Sequence, residues 1–348
     1  MTLVSTLTQS LRTAYPSGLD KQERRESRYG AKNFFMEDTT RNGGILPSST
    51  IDTIKRSFGN SVVIPVIDDE TVTIGNTRSC TIADSENTSS LITLTFVTYA
   101  FGFSMYPAQH YNNDIDYQAD FDVKLKKYLL QLASLMDTAC INQLETDRNQ
   151  FFPAAITGPY YPVVANALQI TQAQKNDYYN QASSIMEEMD FYGNPHVITS
   201  TSGMPNVRRL DNQGSGNAVN EQFQLSPYEW WGSNRVVNAA NVQSTHYVVE
   251  EGNTALVNRN DPDAILKHRI GDQMEWDTVF LPIVGMEMAS FYRKDCNDAN
   301  GLHAGTTGLT RTLREGFEFS TDVVYMTVHN SDRVNRYNPI VKVEIATT

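Results

Sequence analysis

The sequence predicts an α+β chain built from a polar arm, a long β-ribbon, one rod-like helix and a mixed α/β body. Three observations predict it. "SLITLTFVTYAFGFSMYP" at residues 90–107 is β-branched, aromatic and uncharged, within a run free of Asp, Glu, Lys and Arg from Asn87 to Asn113. Residues 114–148 carry apolar side chains at helical spacing. The rest of the chain alternates strand-like and helical patterns, broken by Gly, Pro and Asn.

Bulk properties bound what such a chain can do. Its 348 residues suffice for two domains, or for one with large insertions. At 40% hydrophobic and 20% charged it can bury a sizeable core. The net charge of −12 argues against a general nucleic-acid binder, which needs a basic footprint, and against attraction to anionic membranes. Residues 1–60 hold nine Lys/Arg against six Asp/Glu, a net of +3, which leaves −15 for the remainder. The three cysteines, Cys80, Cys140 and Cys296, are odd in number and far apart, so no disulfide framework is expected, and a reducing compartment is. The first 18 residues lack the cationic start and apolar segment of a signal peptide.

The elements follow in order. Residues 1–60 read as an extended arm, broken at Pro16, Gly18 and "RNGGILPSST", with a turn or two of helix over residues 19–30. Residues 61–107 read as a two-stranded ribbon: "SVVIPVID" and "TVTIGNTRSCTI" go out, "ADSENTSS" turns, and the opening stretch returns. That stretch is too rich in Thr, Ser, Gly and Pro for a membrane helix. Ile92 and Leu94 alternate with Thr93 and Thr95, giving one greasier face. Pro65 belongs on an edge or at a bulge. A lone two-stranded ribbon is marginal in water and its edges invite pairing, so something must pack on it.

Over 114–148 the expected helical stripe is Phe121, Leu125, Tyr128, Leu132, Leu135 and Ala139, widened by Leu129 and Met136. Asp114, Asp116 and Asp120 suit the helix N-terminus and Arg148 the C-terminus. About 30 residues make a rod of roughly 45 Å. Residues 171–193 read as a helix closed near Gly193, "NPHVITSTS" as a buried strand and residues 208–222 as a polar loop. Residues 245–259 read as a hairpin turning at Gly252-Asn253. "DTVFLPIVGMEMASFYRKDC" reads as strand interrupted by Pro282 and Gly285. The strand of Val324, Met326 and Val328 and the strand of Val341, Val343 and Ile345 read as a closing hairpin.

Chemistry is sparse. The six histidines form no HxxxH or HExxH pair. "TSTSGMP" at 199–205 has serines but no positioned base, and reads as a strand entering a turn. "GSGNAV" lacks the third glycine of a dinucleotide fingerprint. "DCNDANGLHAGT" at 295–306 has Asn300 and Thr306 where a calcium loop needs Gly and Glu. Trp230-Trp231 with Tyr228 reads as a packing or subunit contact. No catalytic residue, cofactor or metal site is expected.

The order of arm, ribbon, long helix, mixed body and terminal strands resembles the major capsid proteins of tailed bacteriophages, the Hong Kong ninety-seven type fold shared with encapsulin shells. Over 61–148 the resemblance rests on "VVIPVID", "TRSCTIADSENTSSLITLTFVTYAFGFSMYPAQ", "NNDIDYQADF" and the helix that follows. From "HVITSTSGMPNVRRL" to "SFYRKD" the chain is similar to the family's axial domain. The resemblance implies an N-terminal arm at 1–60 and an extended β-hairpin loop at 61–107. It places a peripheral domain with a spine helix at 108–152, an axial domain at 153–314 and peripheral return strands at 315–348.

It also implies self-assembly into hexamers and pentamers of an icosahedral virion shell, formed in the host cytoplasm. The shell would enclose double-stranded DNA without sequence-specific contact, with no membrane. Each ribbon would lie over a neighbouring copy; Val63, Ile74, Arg78, Leu94, Phe96 and Tyr99, with Arg24 and Arg25 of the arm, are the expected interface residues. Residues 61–110 contain no lysine, so the lysine–asparagine crosslink of some relatives is not expected. With only about 60 residues before the ribbon, a separate scaffolding protein is expected, beside a portal and decoration proteins. The alternatives are an encapsulin-like compartment and an oligomeric α/β enzyme. A secreted surface protein is disfavoured by the missing signal peptide.

Overall fold

The computed structural model describes residues 29–41, 44–67, 89–107, 114–154, 161–191, 193–215, 229–297, 312–328 and 335–347. These residues form two six-stranded sheets, a separate two-stranded ribbon and one long helix, with shorter helices between them.

The first departure from sequence expectation is in the arm. Residues 30–40 and 48–56 are not extended: they form α1 (Gly30–Thr40) and α2 (Ser48–Arg56). Ala31, Phe34 and Phe35 of α1 are buried in the main core. Gly30 is required where α1 begins, because a Cβ there would lie 2.6 Å from the Gly232 carbonyl oxygen. Beyond α1, Arg41 donates to Glu37 and Glu229 through Nη2 (2.7 and 2.8 Å) and to Glu251 through Nη1 (2.8 Å), and lies 3.1 Å from His196 Nε2. Burial opposes its charge, but these carboxylates win and hold the guanidinium more firmly protonated than usual. Asp38 accepts from the Gly252 and Thr254 amides (2.7 and 2.9 Å) and from Thr254 Oγ1. The helix is thereby bolted to the body at two points.

The expected rod is α3 (Asp114–Asp147), 34 residues and so about 51 Å long. Its buried face runs Phe121, Leu125, Leu129, Leu132, Met136, Cys140 and Leu144. Tyr128 and Leu135, expected in the stripe, are 40% and 49% exposed. One residue is a 100° rotation, so centring the stripe on Leu129 and Met136 moves both to its margin. Tyr128 still stacks on Phe101 and Phe103 at 5.3 and 5.9 Å.

The first sheet holds β3 (Val97–Met105), β9 (Thr254–Arg259), β10 (Arg269–Ile270), β11 (Met274–Leu281), β12 (Met286–Asn297) and β13 (Thr312–Thr327). Its order is β10-β11-β12-β13-β3, with β9 also on β13. A short helix (Pro262–Ile265) precedes β10. The β11–β12 hairpin turns at 282–285, where Pro282 and Gly285 were read as interruptions; Gly285 has φ +78.

The second sheet holds β4 (Val163–Val164), β5 (Ala167–Ile170), β6 (Pro195–Ser200), β7 (Glu229–Ser233), β8 (Val242–Glu250) and β14 (Ile340–Ala346), ordered β4-β5-β14-β8-β6-β7. Helices α4 (Lys175–Glu187) and α5 (Met204–Ser215) belong to this unit. Its core joins Tyr178, Tyr179 and Ile185 of α4 and Val207 of α5 to Val197, Val248 and Val341 of the strands. Neighbouring strand positions Ile198, Tyr247, Val249 and Ile340 join the main core around α3 instead. The sheet is thus covered on both faces, which is why β6 is buried at every residue.

Three readings are corrected by this topology. Residues 204–215 are helical, so the loop expected over 208–222 is not one as far as 215. Strands β8 and β9 are not a hairpin: the turn at Gly252-Asn253 is real, but β8 pairs with β6 and β14, and β9 with β13. Nor do β13 and β14 pair; they lie in different sheets. In both strand pairs the two strands belong to different sheets, so the chain passes from one sheet to the other between them. No helix among the described residues is long and apolar enough to cross a membrane.

Candidate assembly surface

Strands β1 (Ser61–Ile67) and β2 (Ser89–Thr95) form the base of the ribbon. They pair antiparallel from Ser61↔Thr95 to Ile67↔Ser89. Residues 68–88 lie outside the described set, and with them Ile74 and Arg78; so do Arg24 and Arg25.

Alternation gives the ribbon two faces. Val62, Ile64, Ile92 and Leu94 point inward, onto Leu46, Ile51, Ile54, Ala255, Val257, Val324 and Met326. The greasier face is therefore covered by this chain's own α2, β9 and β13. Val63, Pro65 and Leu91 point outward; Val63 is 51% and Leu91 71% exposed. Phe58, just before the ribbon, and Val97, just after it, are exposed as well. Four large apolar side chains thus rim the outer surface of the ribbon and its root. Both strands are sheet edges among the described residues, so their outer backbone groups can accept another strand.

The root is built around Arg259, at the end of β9. Its Nη1 donates to the carbonyl oxygens of Ser57 (2.6 Å) and Gly59 (2.8 Å), on the strand side entering the ribbon. Its Nε and Nη2 donate to Asp322 Oδ2 at 3.0 and 2.9 Å. The guanidinium carbon lies 3.8 Å from the ring centroid of Phe96, the residue leaving the ribbon. Asp322 also accepts from Thr98 Oγ1 at 2.6 Å.

At Phe96 the chain changes partner. Its amide donates to Asn60 at 3.0 Å, the last ribbon contact. From Val97 to Met105 the strand pairs with β13 instead. The opening stretch is therefore divided: residues 89–95 are ribbon and 97–105 are body.

Of the expected interface residues, Val63 is exposed on the outer face. Leu94 is buried in the chain's own core, and Phe96 is half-buried beneath Arg259. Tyr99 packs on the main core, its hydroxyl 3.0 Å from that of Tyr325; burial raises both phenol pKa values. Leu91, Phe58 and Val97 are outward-facing residues that sequence reasoning missed. For Leu91 the signal was parity: it lies three residues from Leu94, so alternation puts the two on opposite faces.

Polar and aromatic groups of chemical interest sit elsewhere. An open groove of about 1140 Å³ runs beside the root, between α1, α2 and the β9–β12 region. Its walls include Leu46, Ile51, Val257, Phe280 and Met286 together with Arg41, Lys55 and Arg259, and Glu287 is the one carboxylate among the described residues that line it. His246, fully buried among Tyr178, Tyr179 and Trp230, is driven by burial down to about 3. In "TSTSGMP", Ser200 and Ser202 hydrogen-bond each other and the neighbouring strand, as a strand entering a turn. Among the described residues no group of three His, Cys, Asp or Glu could hold a metal.

No protein-family model and no curated protein matches the chain. Solved structures do. A Mycobacterium phage Che8 structure is 10% identical, covering 86% of this chain and 88% of its own, with a TM-score of 0.46. The mature capsid of bacteriophage PhiM1 is 12% identical over 88% and 90%, at 0.44. The native capsid of a GTA particle is 10% identical over 88% and 93%, at 0.42.

Proposed function

We propose that the chain is the structural subunit of an icosahedral shell of the tailed-phage type, assembling with copies of itself into hexamers and pentamers around double-stranded DNA. The ribbon carries the reading. Its inner face is covered within the chain, while its outer face carries Val63 and Leu91 beside two edges that are unpaired among the described residues. A monomer gains nothing by exposing that combination, and a second copy gains both apolar burial and strand pairing from it. Contacts of modest individual strength, repeated around closed symmetry, suffice to hold a shell. Its DNA is held by confinement, which an acidic subunit permits. A separate scaffolding protein, a portal and decoration proteins would complete the particle, assembled in the host cytoplasm without a membrane.

The test is expression of the chain with its neighbouring genes, followed by electron microscopy. Uniform closed particles filled with nucleic acid support the proposal. Particles filled with a protein cargo would instead indicate an encapsulin-like compartment. A monomer that persists at high concentration would refute both. A sharper variant replaces residues 68–88 with Asn-Gly. Ile67 and Ser89 face each other, so a two-residue turn can close the ladder. The body should fold and assembly should weaken; particles at wild-type yield would show that assembly does not need the ribbon beyond its base.

A further inference from the structure

We propose that Arg259 is a positioning residue: it fixes the direction in which the ribbon leaves the body. The inference is about the subunit itself, and its consequence for assembly rests on the shell reading above.

The ribbon's backbone ladder is internal. Strand β1 pairs with β2, and the Phe96 amide closes the last rung on Asn60. Among the described residues the links to the body are the chain segments 57–60 and 96, the apolar inner face, and Arg259. Apolar burial is non-directional, so it resists lifting of the ribbon better than it resists swivelling. Directional restraint comes from hydrogen bonds, and at the root these converge on one guanidinium.

That guanidinium touches both ends of the ribbon at once. It donates to Ser57 and Gly59 at the entry, with Ser57 Oγ a further 3.1 Å contact, and it covers Phe96 at the exit. Asp322 receives its other two donors and holds Thr98, two residues beyond the exit. A planar fork with five donors fixes an orientation; a lysine ammonium, with its donors at one point, cannot span the same partners. The Arg259 side chain is 10% exposed and that of Asp322 26%, so water competes weakly for these bonds.

Hydrogen–deuterium exchange on the full chain tests this, comparing wild type with R259A and R259K. Ribbon amides in 61–67 and 89–96 should exchange on the order of tenfold faster in both variants, reflecting loss of charge-assisted bonds at the root. Amides of 195–200 and 340–346, in the other sheet, should be unchanged. If R259A fails to fold, R259K decides, since it keeps the charge and the aliphatic stem. Ribbon exchange at the wild-type rate in R259K would overturn the proposal. So would regular particles formed by R259K at wild-type yield. If the wild type itself forms no particles, the shell reading falls, while the exchange comparison still decides the role of Arg259.

Discussion

Replacing Leu91 should damage assembly and spare folding, and the size of the effect follows from its exposure. Leu91 is 71% exposed on the outer face of the ribbon. A polar side chain there changes folding stability by no more than about 0.5 kcal/mol. Complete burial of a leucine is worth about 1.5–3 kcal/mol, so covering the exposed 71% by a neighbour contributes about 1–2 kcal/mol per subunit. Losing that term in L91S should raise the critical concentration for assembly roughly 5- to 30-fold. L91D adds a carboxylate stripped of water at the same place and should abolish assembly. The assay is light scattering across a concentration series, paired with thermal unfolding of the unassembled subunit. Leu94 is the internal control. It is three residues away but 7% exposed on the inner face, so L94A should lower folding stability by about 2–5 kcal/mol. Assembly of L91D at the wild-type concentration would refute the reasoning. An L91S melting temperature depressed as far as that of L94A would refute it equally.

Three further outcomes are expected. F35A removes a fully buried ring of α1 and should cost about 3–5 kcal/mol by urea unfolding, where a dispensable arm would cost almost nothing. D38A strands the Gly252 and Thr254 amides and the Thr254 hydroxyl, and should cost about 3 kcal/mol in the same experiment. His246 sets a pH dependence. Its pKa is about 3 in the folded protein against 6.5 unfolded, so the unfolded state takes up the proton first. The contribution of His246 is whole above pH 6.5 and drains towards pH 3, at up to about 1.4 kcal/mol per pH unit. Urea midpoints between pH 7 and 4.5 should show this slope, and H246F should lose that share of it.

How much of this was legible depended on the range of the interaction. Helix α3 and strand β6 were legible because their signals are local: a 3.6-residue stripe, and a short apolar run bounded by turns. The turn at Gly252-Asn253 was legible from its residues, and Pro282 and Gly285 marked a break in a strand where the structure has the β11–β12 turn. Pairing partners were not. Strands β8 and β9 have the alternation and turn of a hairpin, yet Asp38 of α1 holds the turn open and the two strands enter different sheets. Helix α1 was hidden for a related reason. With 11 residues it makes no independent core, and its burial comes from α3 and the two sheets that meet there.

The ribbon shows the same division at a finer scale. Alternation correctly separated a greasier from a more polar face. A greasy face on a marginal ribbon first invites the inference that another molecule must cover it. The chain's own α2, β9 and β13 take that role, because Arg259 and the short link at Phe96 hold the ribbon base flat against them. What remains for a partner is the less apolar side, where Val63 lies opposite Thr93 and Leu91 opposite Pro65. Such a face suits a subunit that must stay soluble before it assembles. In the proposed shell the large burial orders the ribbon, and the smaller one, repeated in every copy, would drive closure. An interface made greasier than this would pair at first encounter and trap wrong registers.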